Sequence, residues 1–254
     1  YLFYYFIIIS FTVALSLYFK NNTSALSFAI ISWLLWTIFL PKTIGGFTEK
    51  LSPLSTRFEL DQKMNEDRSK GIDGHNPFDE RKKKLEDEIL NKYDVDSLSQ
   101  LPINFSGIVM QADEEYGNQV WDKHYGDLYN SLKIQKRNYQ ISGIINPFAS
   151  LQSLSMASCG TDLLHHLNFL VSAEEYRRYF IKTLNDEYAF GGSKTGESGW
   201  KATNEFFRSI KDFSYKESTF ASVFYKYWID IFCLVFWSFG LILLIIALSK
   251  KELS

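Results

Sequence analysis

Three long uncharged stretches interrupt an otherwise polar chain. Tyr1 to Phe19 runs without a charge and is dense in Tyr, Phe, Ile and Leu, and Ala25 to Leu40 repeats the pattern until Pro41-Lys42 opens the polar sequence. The third, Ile231 to Ser249, is bounded by Tyr227-Trp228 on one side and Lys250-Lys251 on the other. At about 1.5 Å of rise per residue such runs approach the roughly 30 Å of a bilayer core, and aromatic and basic flanks suit membrane interfaces. The pattern predicts three transmembrane helices. A cleaved signal fits the first run poorly, because no basic residues precede it and a second apolar run follows the short turn Lys20 to Ser24. With Tyr rather than Met at position 1, further membrane sequence is expected upstream.

Between the runs the residues favour helices, with much Glu, Lys, Leu and Gln and few β-branched runs. Ser52-Pro53 reads as a cap and first-turn proline opening a helix towards Arg68, and Asn76-Pro77 as a second such start for a helix ending before Val95. A long helix is expected over Met110 to Ile145, with Val120, Trp121, Leu128, Leu132, Ile134 and Ile141 buried. Asn146-Pro147 starts a short helix closed by Gly160. Thr161 or Asp162 then caps a helix through Leu163, Leu167, Leu170, Tyr176, Phe180, Leu184 and Tyr188, stopped by Gly191-Gly192. Ser193 to Ser214 reads as a loop, and helix resumes near Glu217 and runs into the last span. The expected fold class is an all-α membrane protein, three transmembrane helices plus a helical extracytoplasmic domain.

Composition alone hides this division. The 254 residues are 46% hydrophobic and 22% charged with a net charge of −2, which describes an ordinary globular protein. Yet only Lys20 among the charged residues falls before Lys42, and none falls between Ile231 and Ser249. The chain therefore divides into two spans over 1–41, a helical domain over 42–225, and a final span with a short basic tail over 226–254. A single soluble domain, a coiled coil and a disordered chain are excluded. So is a nucleic-acid partner, since the charged middle is slightly acidic and phosphate binding needs a concentrated basic face. Lys20 and Lys250-Lys251 fall on one side of three spans, which the positive-inside rule makes the cytoplasm. Residues 42–225 are then expected outside it, in the periplasm of a two-membrane bacterium. Cys159 is the one cysteine of the middle domain, so no disulfide forms within it.

Acids and histidines concentrate in two predicted helices, at Glu114, Glu115, Asp122, His124 and Asp127, and at Asp162, His165, His166, Glu174 and Glu175. Asp162 and His166 stand four apart on one helix face, and His124 or Glu115 from the other helix could complete a three-ligand metal site. That would suit a membrane-anchored metal-dependent hydrolase. The spacing matches no zinc motif, and histidines that hydrogen-bond between packed helices are the favoured reading. Arg177 and Arg178 are expected to pair with Glu174 or Glu175. No nucleophile elbow, phosphate loop or cofactor motif occurs, so no catalytic or cofactor-binding residue is assigned and any ATP must be bound by another chain.

The segments EEYGNQVWDKHYGDL, NPFASLQSLSMASCGTDLLHHLNF and AEEYRRYFIKTLNDEY resemble the large extracytoplasmic domain of a subgroup of bacterial ABC-2 type transporter permeases, where it precedes the last span. The likeness is specific in N-P-x-x-S-L-Q and G-T-D-x-x-H-H and loose elsewhere. It implies a non-enzymatic permease subunit in the bacterial inner membrane, with a cytoplasmic ATP-binding subunit, a second permease copy or paralogue, and a periplasmic partner. Such permeases usually have six spans, so this chain corresponds to a C-terminal half or to a subunit completed by a partner. A structural subunit of an envelope complex is the remaining alternative.

Overall fold

The computed structural model describes residues 1–217 and 219–252. Its helices are α1 (Leu2–Tyr18), α2 (Asn22–Leu34), α3 (Leu40–Leu51), α4 (Arg57–Lys70), α5 (Phe78–Tyr93), α6 (Phe105–Ile141), α7 (Pro147–Ser158), α8 (Leu163–Phe190), α9 (Asn204–Ser209), α10 (Phe220–Lys226) and α11 (Trp228–Glu252). No strand occurs among the described residues, 79% of which are helical.

Two helical runs are long and apolar enough to cross a membrane, Asn22–Leu51 and Trp228–Lys251. Only 11% and 22% of their most apolar windows are buried, whereas a helix in a soluble core would be mostly buried. Large side chains such as Ile31, Trp33, Phe39, Phe232, Phe236 and Phe239 stand exposed along them. α1 is apolar but shorter. The first of these runs does not stop at Pro41 as its sequence suggests. A π-helical turn, Leu35–Phe39, precedes the proline, and helix continues through it to Leu51. The wider turn reorganises the hydrogen bonds that the missing proline N–H would otherwise break.

The chain forms two compact units. The first comprises Tyr1–Leu54, Asn130–Leu167 and Glu217–Ser254. The packing thus divides the chain elsewhere than the charge pattern does at 42 and 225: residues 130–167 belong with the apolar helices. Ile7 of α1 and Leu234 and Leu241 of α11 form a buried core, joined by Phe11, Trp237 and Leu154 of α7. Trp36 contacts both Phe11 and Trp237, at centroid distances of 4.9 and 5.3 Å. α7 is as expected from its sequence. The Asn146 side chain accepts from Phe148 N–H at 3.1 Å, and Pro147 needs no partner in the first turn. Beyond its end, Gly160 takes φ +67°, letting Thr161 N–H reach back to Met156 C=O at 3.0 Å.

The second unit comprises Ser55–Tyr129 and Asn168–Lys216. Its core is Leu101, Ile103 and Phe105 under Leu85, Ile89 and Val109. Buried Asn104 accepts from Ser106 N–H and donates to Ser193 Oγ at 2.8 Å. Gly107 brings α6 against the Ala189 backbone so closely that a Cβ there would lie 2.6 Å from Ala189 N. The first helix of this unit starts later than Ser52-Pro53 suggests. Thr56 and Glu59 form a reciprocal capping box, which outcompetes the proline signal. Of the side chains expected inside α6, Val120 is fully buried, but Ile134 and Ile141 are exposed. The expected loop Ser193 to Ser214 contains the short α9, capped by Thr203. Helix resumes at Phe220 rather than Glu217 and breaks at Tyr227 before α11; Ser218 and the last two residues lie outside the described residues.

Candidate functional site

The first unit buries a chain of polar side chains beside the start of α11. Asp162 and Asp230 are 1% and 0% exposed, and Ser153, Ser150, Asn146 and Gln140 are buried with them. Such groups are costly away from water unless hydrogen-bonded, so their partners matter.

Asp162 caps α8 as its sequence suggests, accepting from Leu164 N–H at 2.9 Å. It also accepts from the Tyr227 hydroxyl and is bonded to His165 Nδ1. Burial pushes its carboxyl up, but the bonds from Tyr227, His165 and Leu164 outweigh burial and hold it below the ordinary aspartate range. Burial and the neighbouring Asp162 push the Tyr227 hydroxyl up in turn, so it stays a donor. Tyr227 sits at the break between α10 and α11, and this bond fixes the break.

Asp230 lies in the first turn of α11, where the helix N-terminus favours an anion. Its Oδ2 accepts from Gln140 Nε2 at 2.6 Å and from Ser153 Oγ at 3.1 Å. Ser153 Oγ itself accepts from Lys136 Nζ at 2.5 Å. Lys136 also lies over the Tyr227 ring, 4.8 Å from its centroid. Burial holds its amine below the usual lysine range, against the opposing pull of Asp230 and Asp162. Asp230 Oδ1 and Ser150 Oγ have no partner among the described residues. Nearby, buried Asn146 donates to Trp36 C=O at 2.9 Å, and Trp237 Nε1 donates to Gly143 C=O at 3.0 Å. These bonds tie α7 and the preceding turn to the apolar helices.

The candidate metal ligands His124 and Asp162 each have partners within their own unit. His124 belongs to the second unit, where its Nε2 bonds Asp67 Oδ2 at 2.8 Å and links α6 to α4. Asp162 belongs to the first unit and is taken up by Tyr227 and His165, while His166 is exposed. No group of three His, Cys, Asp or Glu able to hold a metal occurs among the described residues. Arg177 and Arg178 do pair with Glu174, and additionally with Glu114 and Asp122 of α6. Glu174 is held below the ordinary glutamate range, since the two arginines outweigh the effect of its burial.

Lys136, Gln140, Tyr227 and Asp230 are not among the sequence candidates, and Ser153 stands in no nucleophile motif. One signal points to the cluster: Asp230 is the acid that immediately precedes the apolar run Ile231 to Ser249, and Lys136 and Gln140 stand four apart on one face.

Fold and site together define an all-α protein with two potential membrane-crossing helices and a buried ionic cluster against one of them. Residues 57–216, more than half of the chain, match the family described as a domain of unknown function, DUF3526, and the chain belongs to that family. No curated protein and no solved structure matches it.

Proposed function

We propose that this chain is a three-span, inner-membrane permease subunit of an ABC-type transporter, driven by ATP bound on a separate cytoplasmic subunit. Its helical domain lies on the extracytoplasmic side and gates the exit or docks a periplasmic partner. The observation that carries the reading is where the permease-like motifs fall. Asn146 and Ser150 of N-P-x-x-S-L-Q and Asp162 of G-T-D-x-x-H-H are among the buried residues of the unit that contains the apolar helices. Asn146 donates to Trp36 C=O, so this motif is bonded directly to one of the apolar helical runs.

Three crossings rather than two are supported by the company α1 keeps. It packs along α11, with Ile7 against Leu234 and Leu241, and the Tyr1 hydroxyl lies 2.7 Å from Ser155 Oγ of α7. The first residue of α1 and the start of α11 are therefore at the same end. A helix of 17 residues, about 26 Å long, can cross with modest thinning of the bilayer. The test is affinity purification of the full chain from native membranes under mild detergent. Recovery of a stoichiometric ATPase and a second permease chain is expected; recovery of neither would overturn the reading.

A further inference from the structure

Lys136, Ser153 and Asp230 form an unbroken donor-to-acceptor line. Lys136 Nζ donates to Ser153 Oγ at 2.5 Å, and Ser153 Oγ donates to Asp230 Oδ2 at 3.1 Å. One end, Lys136, is half-buried; the other is an aspartate without any exposed surface. Asp230 is short of partners for a carboxylate so deeply buried, because Oδ1 has none among the described residues. An ionisable side chain in the first turn of an apolar helix, joined to a cation through one hydroxyl, is arranged to exchange protons.

We propose that Lys136, Ser153 and Asp230 are a proton-binding relay that holds one proton on either Lys136 Nζ or Asp230 Oδ2. In the transfer an N–H bond of Lys136 breaks as an O–H bond forms at Ser153 Oγ. The proton Ser153 carried passes at the same time to Asp230 Oδ2. An ammonium and a carboxylate become an amine and a carboxylic acid, with no co-reactant and no change in net charge. The charged and titratable groups around Asp230 are Lys136 and Tyr139 of α6, Asp162 with His165 beyond Tyr227, and Tyr227 and Cys233 of its own segment. α7 contributes the neutral Ser150 and Ser153, and α1 carries no charged residue. Loss of the charge on Asp230 weakens its bonds to Gln140 and Ser153, so proton uptake loosens the start of the last helix from α6 and α7. This goes beyond the transporter reading and stands whether or not an ATPase partner exists.

Infrared pH-difference spectra of the full chain in lipid vesicles, labelled with carboxyl-¹³C aspartate, read the protonated carboxyl directly. A carboxylic-acid band that grows as pH falls is expected, absent in Asp230→Asn and retained in Asp162→Asn. In Lys136→Met the band should persist to higher pH by about 1 to 3 pH units, because a neighbouring cation is gone. In Ser153→Ala its appearance after a pH jump should slow severalfold, which a purely structural serine would not cause. If Asp230→Asn does not fold, the shift in Lys136→Met and the delay in Ser153→Ala carry the test in the folded variants. No band sensitive to these substitutions would overturn the proposal and leave a fixed ion pair.

Discussion

The unit containing the apolar helices and the charged helical unit treat ionic side chains in opposite ways. In the first, Asp162 and Asp230 are almost wholly buried and bonded mainly to neutral groups, Tyr227, Gln140 and Ser153. In the second, Arg177 and Arg178 meet Glu174, Glu114 and Asp122 in a ladder partly open to water, and Lys182 pairs with Asp186 at the surface. Exposed pairs are worth little because water screens them, whereas an interior carboxylate is costly and persists only where its surroundings hold it. The surface ladder is thus adequately explained by packing two helices. The buried cluster is harder to explain by stability alone, and that asymmetry singles it out as the candidate functional site.

The sharpest way to break this contrast is to delete a buried carboxylate. Asp162→Ala strands the Tyr227 hydroxyl and His165, and should cost roughly 3 kcal/mol in unfolding measured in detergent; a loss comparable to a surface substitution would remove the distinction. Glycine substitutions come next. At Gly143 a Cβ would collide with Ser150 Oγ and lie 3.1 Å from Cys233 Sγ, so Gly143→Ala should destabilise by about 1–3 kcal/mol. Gly126 in the second unit meets nothing within 4 Å, and Gly126→Ala should stabilise its helix by about 0.5–1 kcal/mol, seen as a higher Tm.

Acid should weaken the arginine ladder. Glu174 is held below its ordinary value of 4.5, so it binds protons less readily folded than unfolded, and its contribution is fully present above that pH. It is lost as pH falls further, through the lowered folded value. Glu174→Gln should flatten that part of the stability-against-pH curve; an unchanged slope would mean that the ladder contributes nothing. The smallest effect belongs to Lys182→Ala, expected within about 0.5 kcal/mol of the parent.

Local signals explain which features could be read from the chain. Asn146-Pro147, Asp162 and Gly191-Gly192 act through side chains and backbone within a few residues, and each bounds a helix as expected. Signals that compete were harder: Ser52-Pro53 obscured the capping box at Thr56 and Glu59, and the π turn before Pro41 leaves no sequence signature. The buried cluster depends on residues far apart, such as Gln140 and Asp230, 90 positions distant. Periodicity cannot register that, and residues 130–167 looked like part of the charged domain because Lys133, Lys136 and Arg137 dominate their start. His124 and Asp162 drew attention as metal ligands only because type and spacing were visible and partners were not.

The central claim is that α1, the run Asn22–Leu51 and α11 all cross the membrane, with the charged domain outside the cytoplasm. Labelling of intact cells with a membrane-impermeant thiol reagent tests it. Native Cys159 is exposed and Cys233 is buried, so Cys159 should react from outside and Cys233 should not. In a Cys159→Ser background, Leu2→Cys should also react from outside, whereas Lys20→Cys and Lys250→Cys should react only after permeabilisation. Protection of Leu2→Cys together with Lys20→Cys would show that α1 does not cross, and labelling of Lys20→Cys from outside would contradict the topology altogether.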